Sequence, residues 1–200
     1  MSTCHTIEPG PKPAPLKGQL ASTMPNMILS LSIICALMAA LLAGIYLVTK
    51  PTIDQIGIIR EQAAVKAVLP EFDTAEAVAG SEKNVTIYRA VKDGQLSGVA
   101  VKTFSDKGYA KRIILMVGFT PAGVMRDLRV MEQGETPGLG TKMTEASFQK
   151  QFLDKDPASF KLEVKKDGGD VDAITAATIS SRAFCDALNR AYKAFGGIAQ

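Results

Sequence analysis

The sequence predicts an α+β fold: one transmembrane helix leading into a single domain whose largely antiparallel sheet is flanked by helices. Three observations point that way. Residues 27–48 form an uncharged apolar run, residues 84–131 alternate short β-type runs with turns, and strong helical periodicity returns only near the C-terminus. Strands that follow one another and then give way to helices describe an α+β domain and not a doubly wound parallel sheet. A chain of 200 residues with 46% apolar content has room for the anchor and one compact domain of roughly 150 residues.

The elements follow in order. Residues 1–26 carry Pro9, Pro11, Pro13, Pro15 and Pro25 with few large apolar side chains, a composition suited to an extended, flexible tail. The run 27–48 is long enough, as a helix, to cross about 30 Å of hydrocarbon. It also exceeds the apolar core of a cleaved signal peptide, and Ser32-Ile33-Ile34 before Cys35 lacks the small residues of a lipid-attachment signal, so a retained anchor is expected. Its polar exceptions, Ser30, Ser32 and Tyr46, are not ionic and offer no proton or cation relay. Lys12 and Lys17 on one side balance Lys50 and Arg60 on the other, which leaves orientation open.

Residues 49–83 read as a juxtamembrane helix and linker. After Pro51, Ile53, Ile56, Ile59, Ala63 and Ala67 recur at near-helical spacing until Pro70 stops the pattern. The domain proper is expected over residues 84–200. Strands are expected at 85–91, 95–104, 112–119 and 124–131, with a turn at Lys92-Asp93-Gly94 and a loop at Thr120-Pro121-Ala122-Gly123. A glycine-rich loop at 134–140, a helix near 144–153, a strand near 159–164 and a turn at 166–169 follow. The last helix, about 179–195, sets Phe184, Leu188, Ala191 or Tyr192, and Phe195 along one face.

Several function classes drop out on composition. The net charge of +3 is dispersed and no basic stripe is interleaved with aromatics, so no nucleic-acid partner is expected. Cys4, Cys35 and Cys185 form no pair at metal spacing, and the single histidine, His5, lies in the tail. The domain therefore has no histidine for a metal centre or a nucleophile–His pair. No catalytic side chain and no metal ligand is assigned, and the chemistry is expected to come from a cofactor.

Two constellations could serve one. Asp172-Ala173-Ile174-Thr175-Ala176-Ala177-Thr178-Ile179-Ser180-Ser181 is a run of small and hydroxyl residues opening directly into the last helix. Small residues let main chain approach a ligand, and a helix N-terminus offers N–H groups to a phosphate. The same run is equally an ordinary helix start with Thr178 or Ser180 as N-cap. Glu135-Thr136-Pro137-Gly138-Leu139-Gly140 combines a fixed proline dihedral with glycines that admit close approach, though any Pro-Gly pair also predicts a surface turn. Lys142 and Arg182 are the nearby cations, and each is by default a solvated surface charge.

Together the two runs resemble the flavinylation sequence and the Glu-Thr-Pro-Gly-Leu-Gly signature of the FMN-binding domain family, found in the G subunit of Rnf electron-transport complexes and the C subunit of Na⁺-translocating NADH:quinone reductase. The resemblance covers almost everything from the anchor onward. It implies FMN esterified through its phosphate to Thr178 by a Mg²⁺-dependent flavin transferase that uses FAD and releases AMP. It also implies cofactor-contacting roles for Asp172, Thr175, Ala176 and Ala177, and for Glu135, Thr136, Gly138, Leu139 and Gly140. Ala176 stands where the family more usually has glycine, and Gln133-Gly134 stand where it often has a histidine. The implied protein is a single-pass subunit of a bacterial or archaeal cytoplasmic membrane complex, with its FMN domain extracytoplasmic and its partners the other subunits, the transferase and membrane lipid. Such a complex couples electron transfer between ferredoxin and NAD⁺ to Na⁺ or H⁺ translocation. The quinone-reductase subunit and a membrane-tethered FMN-binding regulatory module are the alternatives.

Overall fold

The computed structural model describes residues 23–80 and 84–197. The chain forms two compact units, Met1–Gln55 and Ile56–Gln200. The tail expected over 1–26 lies almost wholly outside the described residues.

In the first unit the described residues belong to helix α1, Met24–Val68, whose large apolar side chains up to Ile53 are all exposed. It is the one helix among the described residues long and apolar enough to cross a membrane. Two of its hydroxyls bond within the helix: Ser30 Oγ donates to the Asn26 carbonyl at 2.8 Å and Thr49 Oγ1 to that of Ile45 at 2.8 Å. Such back-bonding lets a polar side chain sit on an apolar helix. Pro25 falls in the first turn, where a missing N–H removes no helical bond. The separate helix expected after Pro51 is not separate, because α1 runs through Pro51. A proline inside a helix removes a single N–H donor, a loss that kinks more often than it ends a helix flanked by good helical sequence.

The second unit is built on five antiparallel strands in sequence order: β1 Thr74–Ala79, β2 Thr86–Lys92, β3 Gln95–Ser105, β4 Ile113–Phe119 and β5 Met125–Glu132. The last four lie within two residues of expectation. β1 was not expected, since its sequence T-A-E-A-V-A has weak strand propensity; pairing with β2 makes it a strand. Alternation along β3 divides the sheet faces. Ala100 packs with Ala90, Met116 and the end of α1 at Ala64, Val65 and Val68, whereas Val99 and Val101 join the main core. On the α1 side Glu61 accepts hydrogen bonds from Tyr88 and, at 2.6 Å, from Lys102 Nζ.

The opposite face is covered by helix α3, Thr178–Gly196, which buries Phe184, Leu188, Ala191 and Phe195 as the periodicity indicates. Phe119 stacks on Phe195 at 5.1 Å, and Phe184 packs against Phe148 and Phe152, each at 5.2 Å. Polar contacts fix its register. Thr103 Oγ1 donates to the Ala187 carbonyl at 3.1 Å, while Asp186 accepts from Ser105 Oγ at 2.8 Å and Lys107 Nζ at 2.6 Å. Burial alone would raise the Asp186 carboxyl, but the hydrogen bonds from Lys107 and Ser105, with the charges of Lys107 and Arg190, outweigh it and hold the group below the ordinary range.

Two expectations between β5 and α3 are corrected. Instead of one helix at 144–153 the chain makes a 3-10 turn at Gly140–Thr144, a single α-turn α2 at Ala146–Gln149 and a second 3-10 turn at Lys150–Phe152. Phe148 and Phe152 are both buried, as an unbroken helix would also have them, and Asp154 at φ 57° ends the stretch. The strand expected at 159–164 is absent. Its backbone bonds turn inward to the adjacent 170–171 loop: Lys161 N–H to Asp170 Oδ2 at 2.7 Å, Val171 N–H to the Glu163 carbonyl at 3.0 Å, and Lys165 N–H to that of Val171 at 2.8 Å. Leu162 and Val164 are still buried, so the apolar pattern was core without being sheet.

Gly118 is where β4 meets the end of α1, and a Cβ there would lie 2.1 Å from the Val68 carbonyl oxygen. Gly118→Ala is expected to destabilise the domain by about 1–3 kcal/mol, as overpacking does, measured as a lower midpoint in chemical denaturation. Because the folded Asp186 value lies below its unfolded one, its pairing contributes stability above the ordinary carboxylate range and loses it as pH falls through the folded value. Asp186→Asn should therefore lower stability near neutrality and flatten the acid limb of a stability–pH curve.

Candidate functional site

The 133–140 loop is shaped residue by residue. Gln133 Oε1 accepts the Glu135 N–H at 2.7 Å and so folds the chain back on itself. Pro137 and Gly138 occupy the centre of a turn closed by the Leu139 N–H on the Thr136 carbonyl at 3.1 Å, with Gly138 at φ 75°. That pattern is a type II turn, which needs glycine at its third position. Gly140 is required for a different reason: a Cβ there would meet Glu135 Cβ and Ser180 Oγ, both at 2.6 Å. The Glu135 side chain is only 5% exposed. Its Oε1 accepts the Tyr109 N–H at 2.8 Å and its Oε2 accepts the Ser180 hydroxyl at 2.6 Å.

The head of α3 departs from both readings of it as a capped helix start. The N-cap is Ala177, with no side-chain cap, and Thr178 is the first helical residue. Ser181 does the local tying, accepting the Ile174 N–H at 2.9 Å and donating to the Ala177 carbonyl at 3.0 Å. Ala176 lies at φ 61°, in the left-handed region that glycine adopts more readily than alanine. Among the described residues the half-buried Thr178 hydroxyl has no hydrogen-bond partner.

These two loops face each other across a cavity of about 600 Å³. Glu135, Thr136, Leu139 and Gly140 line one side, Ala176 to Ser180 the other, and Tyr109 closes the ring. Tyr109, Leu139 and Ile179 are large apolar groups left exposed at its edge. The volume lies in the range of small-molecule sites, about 300–1,000 Å³. Helix geometry leaves the N–H groups of Thr178, Ile179 and Ser180 without intrahelical acceptors, an arrangement made for an anion such as a phosphate.

Comparison with known proteins adds to this geometry. Residues 108–193 match the FMN-binding domain family. The G subunit of the ion-translocating oxidoreductase complex of Haemophilus influenzae is 35% identical over 175 residues, 80% of this chain and 84% of that one. The corresponding protein of Methanosarcina acetivorans is 36% identical over 174 residues, 83% of this chain and 91% of that one. This chain belongs to the G-subunit family. The C subunit of Na⁺-translocating NADH-quinone reductase from Parabacteroides distasonis has the same fold in its crystal structure, with a TM-score of 0.51 and 19% identity over 70% of this chain and 82% of that one.

Within this G-subunit family member the expected site residues divide. Glu135, Thr136, Leu139, Gly140, Ala176, Ala177 and Thr178 meet at one cavity, and Gly138 shapes the turn beside it. Asp172 and Thr175 lie instead on a second cavity of about 320 Å³, shared with Lys142. Asp172 pairs there with Lys165 at 2.7 Å, and Arg182 is held by Asp167 at 2.6 and 2.7 Å. Cys185 is a packing residue, its thiol pushed up to about 12 by burial. Tyr109 was missed as a site residue, and Ser180 and Ser181 were named only as members of the 172–181 run, without a role at the site. The pairing of Ser180 with Glu135 spans 45 positions, and only the fold brings it together; Tyr109 contributes a backbone N–H, which leaves no mark in side-chain type.

The FMN reading fits what is present: a phosphate-suited helix head, a hydroxyl with no protein partner beside it, and an apolar mouth for a planar ring. The strained Ala176 gives a direct check. Ala176→Gly should stabilise the domain by about 1 kcal/mol, since a non-glycine residue in the left-handed region costs roughly that much, and Gly138→Ala should destabilise it by a similar amount. Both appear as opposite shifts in denaturation midpoint.

Proposed function

We propose that this chain carries FMN bonded through its phosphate to Thr178 and works as an electron-carrying subunit of a membrane-bound, ion-translocating oxidoreductase complex. The observation that carries the attachment is that the unpartnered Thr178 hydroxyl stands at the head of α3 on the cavity it shares with the Glu135–Gly140 side, whereas Thr175 opens elsewhere. In the attachment step Thr178 Oγ1 forms a bond to the FMN phosphorus of FAD and gives up its proton. The pyrophosphate bond breaks and AMP leaves, with a flavin transferase and Mg²⁺ as the agents. FMN supplies the one- and two-electron chemistry that this histidine-poor domain does not hold in its side chains.

The protein's part is placement. The α3 N-terminus favours the phosphodiester's remaining negative charge by about 0.3–1 kcal/mol at an exposed site. Esterification at phosphate leaves the flavin ring unaltered, so contacts around the ring set its potential. A covalent bond also keeps the local flavin concentration high where none is available from solution. That suits an extracytoplasmic domain. In functional terms the chain then divides into a tail at 1–26, a lipid-embedded anchor at 27–48, a connector at 49–83 and the flavin-carrying domain at 84–200, the sheet of which also takes in β1. Its electrons pass among the other subunits of the complex, between ferredoxin and NAD⁺, coupled to Na⁺ or H⁺ movement.

Intact-mass and peptide analysis of protein from its native membrane should show a gain of one FMN less one water on the peptide containing Thr178. Thr178→Ala should lose all covalent flavin and keep its fold, while Thr175→Ala should keep the flavin. Flavin on Thr175, or flavin released by denaturation, would overturn the assignment.

A further inference from the structure

We infer that Glu135 and Ser180 are a positioning pair for flavin attachment: the Glu135 carboxylate, anchored by the Tyr109 amide, holds the first turn of α3 through the Ser180 hydroxyl so that Thr178 presents its own hydroxyl to the cavity. This inference rests on Thr178 being the acceptor. It gives Glu135 a role that acts through another residue, in place of the cofactor contact that the family signature implied.

The geometry is specific. Ser180 lies two residues beyond Thr178, about 200° around an α-helix, so a bond that fixes where Ser180 points also fixes the rotation of Thr178 about the helix axis. Both members are buried, Glu135 at 5% and Ser180 at 3% exposure. Each carboxylate oxygen has one donor, and the two donors come from different segments, the 106–112 loop and α3. Leaving a buried carboxylate without one of its donors is unfavourable, so the arrangement resists rotation of the turn. Two glycines make room for it. A Cβ at Gly108 would lie 2.9 Å from Glu135 Oε1, and one at Gly140 would lie 2.6 Å from Ser180 Oγ.

A purely structural contact would change stability and leave the rate of attachment alone at temperatures where the variant is folded. A positioning contact changes the rate, because misplacing a reacting group by about 1 Å can cost up to a hundredfold. The test uses the full chain made without transferase, then incubated in detergent with the transferase, Mg²⁺ and FAD, following covalent fluorescence on denaturing gels. Ser180→Ala should lower kcat about tenfold or more with little change in the KM for the chain, at a temperature well below its measured Tm. Glu135→Ala should slow transfer alike, and the double variant no further, because both remove one link. Glu135→Gln should recover most of the rate, since its amide can still accept from Tyr109 and donate to the Ser180 oxygen.

A wild-type rate in Ser180→Ala overturns the inference, as do losses that multiply in the double variant. If Glu135→Ala does not fold, Ser180→Ala decides alone. Thr178→Ala run in parallel separates the two levels. Flavin still attached to it sinks the attachment reading itself, whereas a dark Thr178→Ala beside a fully reactive Ser180→Ala sinks only the positioning pair.

Discussion

Thr103 and Ser105 stand two residues apart on β3, pointing to the same face of the sheet, and both reach α3: one bonds the Ala187 carbonyl and the other the Asp186 carboxylate. Lys107 adds an ion pair to the same aspartate. With Phe184, Leu188 and Ala191 filling the face between them, these bonds set where α3 lies along the sheet. A helix rises about 1.5 Å per residue, so a slip of one residue would move its head by that distance and turn every side chain by about 100°. The cavity wall from Ala176 to Ser180 is therefore placed by contacts made two helical turns away from it.

That dependence explains which parts of the molecule could be read in advance. The strands β2 to β5 and the face of α3 are legible locally: β2, β5 and α3 mix buried with exposed positions along their own length, and β4, Ile113–Phe119, is an apolar run buried almost throughout. β1 is not, since a T-A-E-A-V-A segment becomes a strand only by pairing with β2. Leu162 and Val164 carried a strand-like apolar pattern and became buried loop, because the neighbouring 170–171 segment offers their backbone closer partners. For the site, the 135–140 and 172–181 runs were visible as loops suited to a ligand. What no local pattern contains is the Glu135–Ser180 bond, or the division of hydroxyls between two cavities.

The glycines of the 134–140 loop show how one sequence feature can answer to different physics. Gly138 is needed for its backbone conformation and has open space where a side chain would be, whereas Gly140 has no unusual φ and is needed because Glu135 and Ser180 crowd it. A substitution at the first strains a turn. At the second it pushes apart the two walls of the cavity. Gln133 takes part in the same construction, since its side-chain oxygen closes the backbone just ahead of Glu135; the position where the wider family often has a histidine is here used for folding the loop.

The separation of Thr175 from Thr178 follows from what lies between them. Had the helix begun earlier, residues three apart would share a face and both hydroxyls would open on one cavity. Instead Ala176 takes a left-handed φ of 61°, and Ala177 is a non-helical N-cap with no side-chain cap. The chain reverses at Ala176, sending Thr175 toward Lys142 and Asp172 and leaving Thr178 to start the helix on the other cavity. Alanine holds that conformation at a cost of roughly 1–2 kcal/mol that glycine would not incur. The turn is held by its surroundings: Ser181 ties the Ile174 amide to the Ala177 carbonyl on one side of it, and Ser180 is bonded to Glu135 on the other. Bonds on both sides keep the strained Ala176 in place, and the two hydroxyls open on different cavities.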